Sequence, residues 1–374
     1  MRILADDLTG ALDCAAAFGE GVPVHLGALA GDERPPIEIV ATASRDVAPC
    51  SLPALLNPCL PWLRAADVAF KKVDSLLRGN TFDEVDWLAR QGGFTGLALV
   101  PAFPAQGRVT EDGQQWWLRS NGERTPVSAS IRQTLLDKGW SVESGPVPPA
   151  FNRTGRDIGS DKPKAWVPDV RNAAEMNAVA EQALNGPLGV LWCGSAGLAQ
   201  ALAQGIPPRM DRSPVAARLT EGALMLVSAS HHAVTAQQWD VLKQSRWALL
   251  CCHAQDPNML AAHNAPYPVL IDLAVSTPLT QTQAAQLLAQ QVAQIAQHAP
   301  RPRILVVIGG DTLLALCQAL GATGLRSELP LSRPGWGCAQ ILGGRWDGLV
   351  CHTRSGAFGT LQDLLQVVNR LGVR

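Results

Sequence analysis

With 374 residues the chain exceeds what one hydrophobic core usually serves, so two domains are expected. Hydrophobic residues make up 47% and charged residues 17%, with a formal net charge of -1, which leaves no excess of positive charge to attract a phosphate polymer or an anionic membrane surface. A small-molecule partner is expected instead, with no nucleic acid and no membrane: no apolar run approaches the ~20 residues of a membrane span, no leader pattern precedes the first element, and nine Cys without a CxxC pair fit a reduced, cytoplasmic protein whose thiols are buried.

Taken in chain order, the first element is the apolar run Ile3 to Ala5, which leads into adjacent carboxylates, Asp6 and Asp7, and then into a Thr-Gly pair opening an Ala-rich helix. An ordinary helix cap accounts for one acid. The doubling points to charge placed where a ligand arrives: Asp6 and Asp7 are both placed among the substrate-binding residues, Asp7 with the chemical role and Asp6 left for the cap. The run VATA closes on Ser44-Arg45-Asp46, which offers a guanidinium to the same crevice. VAFKKVD then leads into FKKVDSLLRGNTFDE, where two lysines, an aspartate, a serine and an arginine arrive between Lys71 and Arg78. Such a cluster suits a small hydroxylated carboxylate: Arg78 forks onto the carboxylate, Asp74 and Ser75 take hydroxyls, and a lysine, Lys72, supplies point charge. A solvated, charged strand end is the plainer alternative.

LALVPAF, KAWVPDV and GVLWCGSAG continue the alternation of strand-like runs and helical segments, and ALMLVSAS, ILVVIGGD and GLVCHTRSG repeat it in the second half. This alternation predicts an α/β fold, two domains with parallel or mixed sheets flanked by helices, in which ligands bind at the carboxyl ends of strands. The segment 205–219, rich in Pro and charge, is the linker candidate and places the division at 1–212 and 213–374, while 144–163 reads as a long surface loop. QTQAAQLLAQQVAQIAQ has the spacing of an amphipathic helix. The adjacent His231 and His232, read as neighbours on a strand, point to opposite faces and do not suit one metal ion.

No GxxxxGK[ST], strand-linked GxGxxG, HExxH or GxSxG is present. Small residues at strand ends recur instead: Ser228 and Ser230 in SASHHAVTAQQW, Gly309, Gly310, Asp311 and Thr312 in VVIGGDTLLALC, and Gly356 in RSGAFGTLQDLL. Turns of this kind leave the first amides of the following helix facing outward, a surface for phosphates built without a Walker loop; ordinary tight strand-to-helix turns are the plainer reading.

ADDLTGALD, SRD, KKVDSLLRGN, PAFPAQGRVTEDG, GSAGLA, VSASHHAVTAQQ, IGGDT and SGAFG, in that order, resemble the four-carbon acid sugar kinase family over nearly the whole chain. The resemblance implies an amino-terminal domain for the sugar acid, a carboxy-terminal domain for ATP, and an active site in the cleft between them. It implies phosphorylation of a threonate, erythronate or 3-oxo-tetronate hydroxyl. It places Asp7, Arg45 and the segment Asp74 to Arg78 at the acid, and Ser228, Gly309 to Thr312 and Gly356 at ATP. Asp7 is the expected base, with Asp74 in reserve, and Mg2+ is expected from ATP chemistry, its ligands unassigned. The chain departs from the family pattern at Leu76, Ala229 and Ala357, features that favour the alternative of a sensor or partner protein binding the same ligands without turnover. Self-association is left open by the sequence.

Overall fold

A computed structural model describes residues 1–27, 29, 35–119, 121–145, 162–206, 224–248, 251–253, 268–275, 277–328, 336–356 and 359–371. Most of the linker candidate, the interior of the 144–163 loop and Ala357 lie outside these residues. The chain forms two compact units, one of residues 1–18 and 27–210, the other of residues 19–26 and 211–374. The short segment 19–26 is therefore part of the second unit: Pro23–Leu26 pairs antiparallel with Gly324–Ser327, and Ser327 Oγ donates to the Gly19 carbonyl at 2.6 Å.

The first unit is built on a parallel sheet in the order Glu38–Ala41, Arg2–Ala5, Ala69–Lys72, Val190–Gly194, Gly96–Val100, Lys164–Val167, Ser141–Ser144. Its central strands are buried along their whole length, which is why they read as continuous apolar runs rather than alternating ones. The register aligns Ala41, Ala5, Lys72, Gly194 and Val100 at their carboxyl ends, so the residues that follow each strand emerge along one edge. A smaller antiparallel sheet, Arg108–Glu111, Gln114–Leu118 and Arg124–Pro126, follows the Gly96–Val100 strand.

Helices flank the sheet, and several start where the sequence supplies a cap. Asp7 caps Leu8–Ala17, and Ser195 caps Ala196–Gln204. Leu63, Phe70, Leu88 and Leu97, with Trp140 and Trp166, are among the fully or almost fully buried side chains of this unit.

In the second unit Cys251–His253, Val269–Asp272, Leu224–Ser228, Ile304–Ile308 and Val350–Arg354 run parallel in that order, and Trp336–Leu342, Gly324–Ser327 and Pro23–Leu26 complete a mixed sheet antiparallel to their neighbours. Register places Asp272, Ser228, Ile308 and Arg354 side by side at the carboxyl ends. The Ala/Gln-rich segment is the helix Gln281–His298, opened by a capping box between Thr280 and Gln283. No helix among the described residues is long and apolar enough to cross a membrane.

Candidate functional site

In the first unit the strand Arg2–Ala5 stops before the doubled acid, and the two carboxylates part company. Asp7 is the helix cap, its Oδ1 accepting from the Gly10 amide at 3.1 Å, so the cap expected of Asp6 falls to Asp7, and Asp6 does not cap. Asp6 is instead buried under a two-pronged bond from Arg45, Nε to Oδ2 at 2.7 Å and Nη2 to Oδ1 at 3.0 Å, and the same Nη2 reaches Asp7 Oδ1 at 2.6 Å. Arg45 is thus held by two carboxylates, whose charges outweigh the effect of burial and raise its pKa.

The two lysines separate because successive strand residues face opposite sides of a sheet. Lys71 pairs with Glu84 of the helix Thr81–Gln91, and both side chains are 1% exposed. Lys72 goes the other way, donating from Nζ to the Val73 carbonyl at 2.9 Å. Burial alone would lower the Lys72 pKa; the charges of Asp6 and Asp7 reverse that and raise it. The helix packs closely here: a Cβ at Gly10 would lie 2.5 Å from Asp7 Oδ1 and 2.7 Å from Lys72 Nζ, so a larger residue would push these charged groups aside.

The segment Asp74 to Asn80 is a tight turn locked to the Ser44–Val47 turn. Asp74 Oδ2 accepts the amides of Leu76 at 3.2 Å and Arg78 at 3.3 Å, and the Arg78 guanidinium forks back onto both Asp74 oxygens at 2.8 Å. Burial pushes the Asp74 carboxyl up, but the Arg78 fork, with Arg45 and Lys72, more than offsets it and brings it down to about 2. Gly79 has φ +68°, and a side chain there would overlap the Arg45 carbonyl. Asn80 Nδ2 donates to the carbonyls of Ser44 at 3.0 Å and Val47 at 2.8 Å. The RGN and SRD motifs are therefore one structure.

The antiparallel sheet supplies residues that sequence reasoning did not select. Gln115, fully buried, donates to the carbonyls of Ser75 at 3.0 Å and Pro101 at 3.2 Å and accepts from Thr110 Oγ1 at 2.6 Å. Arg108 Nη1 donates to Ser75 Oγ at 3.0 Å and to Gln106 Oε1. A buried glutamine beside two tryptophans in QQWWL is the sequence signal that was available for this strand.

In the second unit the three small-residue turns stand on adjacent parallel strands. Ser228 ends its strand fully buried, and its Oγ accepts the Ser230 amide at 3.3 Å. His232 is not on a strand; it caps Ala233–Lys243, its Nδ1 accepting the Val234 amide at 3.3 Å. Gly309, at φ +104°, turns the chain into Gly310–Leu320, a helix start that no side chain caps. Its first N–H groups carry the partial positive charge that favours an anion. The Thr235 hydroxyl donates to the Gly356 carbonyl at 2.8 Å, and a Cβ on Gly356 would overlap Ser230 Oγ, so the two turns meet without room for a methyl group. Gly356→Ala is accordingly expected to pry them apart and destabilise the protein by ~1–3 kcal/mol, the range for overpacking a close contact; a urea titration measures the loss.

The structure gathers Asp6, Asp7, Arg45, Lys72, Asp74, Ser75 and Arg78 along one edge of the first sheet, and Ser228, Ser230, Gly309, Gly310, Asp311, Thr312 and Gly356 along one edge of the second. Asp272 was not foreseen: it is paired in register with Ser228 and takes a bond from Lys243 Nζ at 3.1 Å. Among the described residues no three His, Cys, Asp or Glu side chains cluster as a ready-made metal cage.

Two family models match the chain: a sugar-binding N-terminal domain over residues 1–138 and a nucleotide-binding C-terminal domain over residues 225–364. A D-threonate kinase of Cupriavidus necator is 33% identical over 54% of this chain and 53% of its own, so that match spans about half of each; a D-threonate kinase of Salmonella typhimurium is 25% identical over 99% of both. Solved structures share the fold. A Haemophilus influenzae protein of the DUF1537 family superposes with TM-score 0.67 at 17% identity over 99% of this chain and 100% of its own. A Salmonella typhimurium LT2 structure superposes with TM-score 0.71 at 18% identity over 98% of both chains. With its sugar-binding half followed by a nucleotide-binding half, the order in which the eight motifs occur, the chain belongs to the four-carbon acid sugar kinase family.

Proposed function

We propose that the protein transfers the γ-phosphoryl group of ATP to a hydroxyl of a four-carbon sugar acid of the threonate, erythronate or 3-oxo-tetronate type. The observation that carries this reading is that the two units carry unlike edges: one lined by charged side chains at the strand ends, the other by glycine and hydroxyl turns at an uncapped helix start. Phosphoryl transfer depends mainly on positioning and on neutralising the moving group, which bare amides and side-chain cations accomplish without covalent chemistry.

Of the acids in the first unit, Asp7 is best placed to orient or deprotonate the attacking hydroxyl. Asp6 has both oxygens on Arg45, and Asp74 has both on Arg78 with a pKa near the bottom of the carboxylate range, about 2, so each is a weak base. Asp7 commits Oδ1 to Gly10 and Arg45, and its side chain is 18% exposed, which leaves Oδ2 to meet a ligand.

The residues present suit a triphosphate: Gly309, at φ +104°, leads into a helix start that no side chain caps, where free amides favour an anion. Mg2+ fits as an ion carried in on the phosphates and held by one or two carboxylates, of which Asp311 is the candidate at the helix start, and when bound it neutralises charge on the transferring group. The decisive experiment is ADP release with ATP, Mg2+ and a panel of C4 acids. Release dependent on one acid is the expected result; ligand-induced thermal shifts without ADP would favour the non-catalytic sensor that the changes at Leu76 and Ala229 suggest.

A further inference from the structure

The first unit gathers several cations around its strand ends, and most of them already have a carboxylate. Arg45 is held by Asp6 and Asp7, Arg78 by Asp74, and Lys71 by Glu84. Lys72 lies against the same Asp6 and Asp7, whose charges act on it. Arg108 differs: its hydrogen-bond partners are a hydroxyl, Ser75 Oγ, and an amide oxygen, Gln106 Oε1, and its Nε is buried with no hydrogen-bond partner among the described residues. A guanidinium presents its N–H groups as a rigid planar fork that matches a carboxylate, and neutral oxygens satisfy it less well.

The surroundings hold this fork in place. Arg108 opens the first strand of the small sheet, its guanidinium beside the Trp117 ring at 6.0 Å. Gln115, on the neighbouring strand, ties the sheet to the carbonyls of Ser75 and Pro101. Burial keeps the Arg108 pKa below the usual guanidinium value, with Asp74 countering and Arg78 adding to the effect.

We propose that Arg108 receives the carboxylate of the sugar acid, with Ser75 and Gln106 as neutral placeholders on its fork, and that the small antiparallel sheet is thereby the element that selects an acid over a neutral polyol. The proposal rests on the sugar-acid reading above but not on turnover. It reassigns the carboxylate from Arg78, whose fork is taken by Asp74, to a residue of the PAFPAQGRVTEDG motif to which the sequence attached no role.

The test is calorimetric binding of D-threonate and of the neutral tetritol threitol to the full-length wild type, Arg108→Gln and Arg108→Lys, with far-UV circular dichroism and a thermal melt of each variant as the check that it has folded. The wild type should prefer threonate over threitol, and Arg108→Gln should lose threonate affinity roughly 10- to 100-fold, the range expected for a hydrogen bond to a charged group, with threitol binding unchanged. Arg108→Lys, which keeps the charge and loses the fork, should fall between. Equal weakening for both ligands, unchanged threonate affinity in Arg108→Gln, or a wild type that binds neither or does not distinguish them would each overturn the proposal. Threonate binding with the expected selectivity but no ADP release would support Arg108 and sink the kinase reading, so the two fail separately.

Discussion

Asp7→Asn is expected to lower kcat by ~10²- to 10⁴-fold, the usual contribution of general-base assistance, while the protein keeps its fold. The substitution isolates the chemistry because asparagine caps a helix about as well as aspartate, so the bond from the Gly10 amide to position 7 survives. Arg45 keeps its two-pronged contact with Asp6 and is not left as an unpaired buried cation. Steady-state ADP release, with a thermal melt for stability, separates this outcome from a structural one. Asp7→Ala, by contrast, removes cap and charge together and should cost about 1 kcal/mol of stability in addition. Wild-type turnover in the Asn variant would take Asp7 out of the chemistry.

The second large effect belongs to stability rather than turnover. Lys71 and Glu84 face each other with their side chains 1% exposed, at the start of the helix that follows the Asp74–Asn80 turn. Glu84→Gln leaves an ammonium buried beside a neutral amide, and breaking a buried pair from one side typically destabilises by ~3–5 kcal/mol. Replacing both members, as Lys71→Met with Glu84→Leu, should recover most of that loss, because the pair's attraction is largely consumed by the desolvation of its two ions. Urea titrations of the two single variants and the double variant measure the coupling directly. A loss below about 1 kcal/mol in Glu84→Gln, the scale of an exposed pair, would mean that the ammonium reaches water in the folded protein. Because Lys71 and Lys72 are consecutive on one strand, any slip that relieves Lys71 also displaces Lys72 beneath the Asp6 and Asp7 carboxylates.

Much of this arrangement was readable from local pattern. Runs such as ILVVI and VLWCG are buried on both faces, and their apolar continuity announced parallel strands with ligand-facing residues at the carboxyl ends. The glycine and hydroxyl turns followed from the same logic, since Gly309 needs a left-handed backbone that few other residues adopt. What local pattern did not determine was how neighbouring charges pair. The doubled acid promised a cap and a functional carboxylate, but which did which depended on Arg45, 38 positions beyond Asp7 and in the turn after the adjacent strand Glu38–Ala41. Arg78 read as a ligand fork because its partner Asp74, one helical turn away in sequence, was itself taken for a hydroxyl acceptor. The placement of residues 19–26 depends on antiparallel pairing with Gly324–Ser327, hundreds of positions away, which no short-range signal carries. Gln115 was missed because QQWWLRSNGERTP shows no clean alternation, although it contains two strands of the small sheet, and Arg108, in PAFPAQGRVTEDG, because its partner Ser75 lies 33 positions away in the chain.

The central claim is that the sugar acid binds the first unit and the nucleotide the second. Amide hydrogen exchange on the full chain, with and without D-threonate and a non-hydrolysable ATP analogue, tests it most directly. Threonate should slow exchange at residues 6–7, 44–45 and 74–78, and the ATP analogue at residues 228–232, 309–313 and 355–356. Nucleotide protection confined to the first group, or absent from both, would contradict the account.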